Sequence, residues 1–178
     1  MEKIKKLIKD FSKKKLDGYI VPKNDEFFTE YTPKHKDNLK LISNFTGSFG
    51  YALILKKNNY LLVDGRYSIQ AKAQSGKYYK IVSLPLKKNL DLKNKLIGFN
   101  PKLFNQITIN NLSEKLNCQF ISTSTNIFDT KNVKEKVKKF YFLKDTISGE
   151  NYTSKIKKII SFLRRKKIDI MVITAPEN

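Results

Sequence analysis

The sequence predicts an α/β fold, a mixed β-sheet flanked by helices, followed by the helix-and-strand opening of a second, similar domain. Three observations carry this expectation. Segments with apolar residues at helical spacing are interleaved with short apolar runs of strand length. Two of those runs, residues 51–55 and 60–63, are apolar at consecutive positions and separated by Lys56, Lys57, Asn58 and Asn59. That is the pattern of a β-hairpin lying centrally in a sheet and covered on both faces. Finally, residues 155–173 repeat the register of residues 3–21.

The first helix is predicted by Ile4, Leu7, Ile8 and Phe11, which fall on one face with lysines on the other. Residues 18–21 then read as a buried strand ending at Pro22, and residues 25–32 as a polar and aromatic loop. Leu39 and Ile42 point to a second helix over 34–43, and residues 45–48 form a turn-rich break before the hairpin. In that hairpin the two asparagines tolerate a positive φ. Asp64 and Gly65 end its second strand, residues 66–74 read as a helix stopped at Gly76, and residues 78–84 as a strand stopped by Pro85. A strand over 96–99, a helix over 107–116 and a strand over 119–122 complete the first domain, residues 1–127. Residues 128–150 read as a charged linker.

At a constant offset of 152, Lys3, Ile4, Lys5, Lys6, Ile8, Lys14, Lys15 and Asp17 recur, so eight of nineteen positions are identical. Phe11 is matched by Leu163 and Ile20 by Val172, which keeps the apolar spacing. Residues 151–178 are therefore expected to be an incomplete second domain. A helix and one strand cannot bury a core alone. The segment bearing Ile156, Ile159, Ile160 and Leu163 on one helix face should either fray in solution or bury that face against another copy or a neighbouring surface.

The net charge of +20 invites a stand-alone basic module that binds RNA or anionic surfaces. Of the 36 basic residues, however, only Arg66, Arg164 and Arg165 are arginine. Bidentate phosphate and base recognition favour the arginine fork, so the charge reads as a lysine-solvated surface, and nucleic acid is not the expected partner. No run is long enough for a membrane span, no secretion signal opens the chain, and the single cysteine, Cys118, forms no internal disulfide. A cytoplasmic location and no membrane partner are expected.

Chemistry is sparse. His35 is the only histidine, sits between Lys34 and Lys36, and reads as a surface residue at a helix start. No metal-ligand cluster, Walker loop or nucleophile elbow is present, Asp25 and Glu26 sit in a loop without an apolar setting, and Cys118 reads as core. No catalytic residue, metal ligand or cofactor site is assigned in this chain.

Two stretches carry a signature. Phe45-Thr46-Gly47-Ser48, a hairpin, and Asp64-Gly65-Arg66-Tyr67 with Gln70-Ala71 resemble the FTGS, DGRY and QA pattern in the amino-terminal domain of Xaa-Pro aminopeptidases, which have the creatinase (aminopeptidase P) fold. The strand 19–22, Glu30-Tyr31 and residues 97–101 are similar in the same order, while Phe49 departs from the small residue usual after the serine. The resemblance implies a three-domain hydrolase, a metallopeptidase (protease) that removes a residue preceding proline. In it two divalent ions, commonly manganese, are held by two Asp, one His and two Glu in a third domain. None of those ligands falls in this chain, which is expected to be inactive alone. Its partners would be that catalytic domain of the same polypeptide, a peptide substrate of the whole enzyme and a second copy in a homodimer. Continuation of the reading frame beyond Asn178 to such a ligand set would mark a portion of that enzyme, and a stop codon there a regulatory paralogue without the catalytic domain. Asp64 can cap free N–H groups, Gly65 permits a tight junction, and Thr46, Gly47 and Ser48 form a turn. Arg66, Tyr67, Glu30 and Tyr31 are the residues expected to face substrate or a neighbouring domain, Arg66 by reaching a carboxylate.

Overall fold

The computed structural model describes residues 2–29, 32–85, 90, 92–123, 125, 128, 139 and 141–173. The chain divides into two units, residues 1–133 and 134–178. In the first, helix α1 (Glu2–Lys13) buries Ile4, Leu7 and Phe11, the face that its apolar spacing marks. Strand β1 (Gly18–Pro22) follows and is buried at every residue. Helix α2 (Asn38–Ser43) precedes β2 (Gly50–Leu55) and β3 (Asn59–Asp64). A 3₁₀ turn (Gly65–Tyr67) leads into α3 (Ser68–Ser75), then come β4 (Lys80–Leu84), β5 (Leu96–Phe99), α4 (Gln106–Leu116) and β6 (Gln119–Ser122).

The strands form one mixed sheet in the order β4-β3-β2-β1-β5-β6. β2 runs antiparallel to β1 and β3, with Tyr19 opposite Ile54 and Leu61 opposite Ala52. β4 pairs parallel with β3, β5 with β1, and β6 with β5. Successive side chains on a strand point to opposite faces, and this accounts for the consecutive apolar runs. Tyr19, Val21, Ala52, Ile54, Leu61 and Val63 face one core with Leu7 and Phe11 of α1, Leu39 of α2 and Ala71 of α3. Ile20, Tyr51, Leu53 and Leu62 face the other core with Ile109, Leu112 and Leu116 of α4. The hairpin is thus covered on both sides.

Two local readings are corrected. The second helix begins at Asn38, not Lys34, because the Asp37 carboxylate accepts the Lys40 N–H at 3.0 Å and caps it there. The hairpin turn uses no positive φ at Asn58 or Asn59; it closes through the Leu55 N–H donating to the Asn58 carbonyl. Left-handed asparagines instead end α2 at Asn44 and α4 at Asn117.

In the second unit, α5 (Asp145–Ser148) ends at Gly149, whose φ is 75°, and α6 (Tyr152–Lys166) starts at Asn151, which accepts the Ser154 N–H. No described residue of this unit is buried, and Ile156 and Ile160 stand 50% and 41% exposed. The expected strand does not form over 168–173, since a strand needs a pairing partner. Most of the expected linker, and residues 174–178, lie outside the described residues.

Phe11 is fully buried under α1 against the sheet. Phe11→Ala should destabilise the chain by about 3–5 kcal/mol, measured by urea unfolding, whereas a change below about 1 kcal/mol would contradict the packing described.

Candidate functional site at the motif-bearing rim of the sheet

The pairing directions gather one set of loops. The carboxyl ends of β1, β3, β4, β5 and β6 lie at the same rim as the amino end of β2. Residues 44–49, which precede β2, therefore meet residues 64–67, which follow β3, and both sequence signatures come together there.

The junction is a hydrogen-bond latch. Phe45 is fully buried and meets the Tyr67 ring edge-on at 5.8 Å. The Thr46 N–H donates to Gln74 Oε1 at 2.9 Å, while Gln74 Nε2 and Gln70 Nε2 donate to Thr46 Oγ1 at 2.9 and 2.8 Å. The Ser48 and Tyr67 hydroxyls lie 2.8 Å apart, and this bond to Ser48 holds the Tyr67 phenol below its ordinary range. Behind the turn, Ser75 Oγ donates to the Ser43 carbonyl and the Tyr79 hydroxyl to the Ile42 carbonyl. A Cβ on Gly47 would stand 2.2 Å from the Phe45 ring, so the turn requires glycine. Gly65 differs from expectation: its φ is not positive, and nothing lies within 4 Å of a Cβ built there. That junction is formed by Asp64, not by the freedom of glycine.

Asp64 Oδ1 accepts the Arg66 N–H at 2.9 Å and caps the 3₁₀ turn. The Arg66 side chain also folds back on it, with Nε to Oδ1 at 2.9 Å and Nη2 to Oδ2 at 3.3 Å. The guanidinium bonds hold the Asp64 carboxyl below its usual range. Arg66 is thus exposed but held in one orientation, its ring-facing side 5.8 Å from Tyr67. Glu30 and Tyr31, the other two expected contact residues, lie outside the described residues. Gln74 was not singled out from sequence, although it stands four residues after Gln70 on the same helix face.

Beside this latch, at the carboxyl ends of β1 and β5, a cleft of about 420 Å³ opens. Its floor includes Ile20, Val21, Pro22 and Leu103, and its walls include Asp25, Glu26, His35, Lys36 and Lys102. Two readings change here. His35 is not at a helix start but in the turn before α2, half-buried in the cleft wall. Asp25 is only 2% exposed. Burial pushes its carboxyl up, but the Thr29 hydroxyl, the Thr29 N–H and the Phe27 N–H outweigh that and hold it below the usual range. Next to it Lys23 and Asp37 form an ion pair of 2.5 Å, with side chains 11% and 8% exposed.

Cys118 is buried, and burial pushes its thiol up to about 11, which leaves it protonated at neutral pH. Among the described residues no three of His, Cys, Asp and Glu come together to hold a metal ion. The donors among the described residues do not fit a two-metal site.

Residues 3–130 match the model of the Creatinase/Prolidase N-terminal domain. The chain is 29% identical to Xaa-Pro aminopeptidase 1 of Dictyostelium discoideum over 98% of its own length and 31% of that protein. It is 30% identical to Xaa-Pro aminopeptidase 2 of Rattus norvegicus over 89% of its length and 26% of that protein. Its fold is similar to the crystal structure of the X-prolyl aminopeptidase of Caenorhabditis elegans, a cytosolic enzyme with a di-nuclear active site. That match has a TM-score of 0.67 and 22% identity, and covers 93% of this chain and 31% of the other. The chain spans less than a third of the length of each of these relatives.

The two glycines should separate in thermal or urea unfolding. Gly47→Ala should cost about 1–3 kcal/mol, whereas Gly65→Ala should lie within about 0.5 kcal/mol of the parent; the reverse order would contradict the geometry. Asp25→Asn should cost about 1–3 kcal/mol at neutral pH. Because the Asp25 carboxyl is depressed in the folded state, its contribution is present above the ordinary carboxylate pKa and fades as pH falls through the lower folded value. The stability gap between parent and variant should therefore narrow on acidification. A gap independent of pH would refute that role.

Proposed function

Because the chain belongs to the Creatinase/Prolidase N-terminal domain family, we propose that it is the non-catalytic amino-terminal portion of an Xaa-Pro aminopeptidase, a metallopeptidase that removes a residue preceding proline. One observation carries this reading. The chain aligns over nearly its whole length with an Xaa-Pro aminopeptidase, yet spans 31% of it, and brings no ligand cluster together among its described residues. The metal site then belongs to the rest of the polypeptide. Two divalent ions agree with the di-nuclear site of the nematode enzyme, and manganese is the ion proposed for them. A cytoplasmic location agrees with that enzyme's description as cytosolic; among the described residues no helix is long and apolar enough to cross a membrane. The stand-alone basic module finds no support among the relatives, which are peptidases.

In this reading residues 1–127 are one whole domain, 128–150 the linker, and 151–178 the start of a second domain. The exposed apolar residues of α6 support the last assignment: Ile156, Ile160 and Phe162 are 50%, 41% and 43% exposed. The motif-bearing rim supplies the surface toward the remaining polypeptide. Asp64 fixes Arg66 with guanidinium hydrogens still facing outward, and a pre-ordered arginine loses little entropy when it meets a carboxylate. Homodimerisation would bring a second copy to the same enzyme.

The 178-residue chain, supplied with manganese, should release no amino-terminal residue from an Xaa-Pro peptide. Metal-dependent release above a blank preparation would overturn the reading. In the same dilute chain, amides of α6 should exchange rapidly with solvent. Strong protection from residue 156 to 163 would contradict an uncovered second domain.

A further inference from the structure

We propose that the cleft at the carboxyl ends of β1 and β5 binds a carboxylate carried on an apolar body, such as the terminus of a short peptide. The inference stands on the cleft itself and not on the family reading. Its volume of about 420 Å³ lies within the size range of small-ligand sites. The floor supplies apolar surface through Ile20, Val21, Pro22 and Leu103. The wall carboxylates are already satisfied: Asp25 accepts from Thr29 and Phe27, and Glu26 pairs with Lys36. Lys23 and Asp37 likewise neutralise each other. The Lys102 ammonium is left, exposed and without a partner among the described residues. Among the described residues a cationic ligand would therefore meet no unpaired wall carboxylate, whereas an anion would meet the Lys102 ammonium.

The mouth of the cleft is built, not incidental. Phe28 holds a left-handed φ of 56°, a conformation costly for a bulky side chain. The loop keeps it because the buried Asp25 carboxylate binds the chain at Phe27 and Thr29, on either side. Phe27 and Phe28, which follow the wall residue Glu26, stand 72% and 46% exposed, with the wall residue Lys36 4.9 Å above the Phe27 ring. A strained backbone retained in the loop that carries Asp25 and Glu26, with two exposed aromatic rings on it, fits recognition of an apolar ligand.

The test uses the 178-residue chain labelled with ¹⁵N, titrated with N-acetyl-alanyl-leucine as the free acid and, separately, as its carboxamide. The free acid should shift the amide signals of Val21, Lys102 and Leu103 saturably, with a Kd on the order of 1 mM for a ligand of this size. The carboxamide should bind about tenfold more weakly, the loss of one charge-assisted hydrogen bond. Lys102→Ala should weaken the acid about fivefold, and Lys72→Ala, on the exposed side of α3, should leave it unchanged. Equal binding of acid and amide, an unchanged Kd in Lys102→Ala, or no saturable shift would each overturn the proposal. Repeating the titration on the longer polypeptide identifies the source of the carboxylate. Retained binding marks a site for free peptides; loss marks a cleft filled by a carboxylate of the remaining chain.

Discussion

Burial of the β1-β2-β3 strands on both faces is the constraint on which the rest of the structure depends. Residues 51–54 and 61–63 are apolar at every position and point alternately up and down. One covering layer would leave half of them in water, at roughly 1.5–3 kcal/mol for each large side chain. Hence α1, α2 and α3 cover one face and α4 the other, and two cores share a single sheet. The parallel crossovers from β3 to β4 and from β5 to β6 follow from the same need, since each passes through a helix, α3 or α4, on one face.

Those crossovers give the molecule its polarity. Returning strands all end at one rim, so the loops that follow β1, β3 and β5 are brought side by side. The latch among Thr46, Gln70 and Gln74, the Asp64-Arg66 pair and the cleft near Asp25 all lie there. The opposite rim carries the hairpin turn with Lys56 and Lys57, and Lys95 beside Asp17. Polar networks and exposed phenylalanines at one end, and hydrated lysines at the other, distinguish a surface suited to contact from one suited to solvent.

How much of this was legible in the sequence follows from the range of each interaction. Strands β5 and β6 and helix α1 are set by local apolar periodicity, and their bounds lie at or within a residue or two of expectation. The start of α2 depends on one side chain, Asp37, that also pairs with Lys23 fourteen residues away, and spacing does not reveal that. The strand expected after α6 has the right pattern, but a pattern makes a strand only when a neighbour pairs with it. At the rim, the FTGS and DGRY motifs announced that residues 45–48 and 64–67 mattered. They did not announce that Thr46 is held by Gln74, that Arg66 is turned back on Asp64, or that Asp25 is buried. Each of these is a contact fixed by the tertiary fold.

The central claim is that this rim is where the domain meets the rest of its polypeptide. Hydrogen exchange measured on the 178-residue chain and on the longer polypeptide tests it directly. The account predicts added protection at residues 23–29, 44–49 and 64–67 in the longer polypeptide, with the hairpin turn at 56–58 unchanged. Unchanged exchange at the rim, with new protection at residues 56–58, would contradict it.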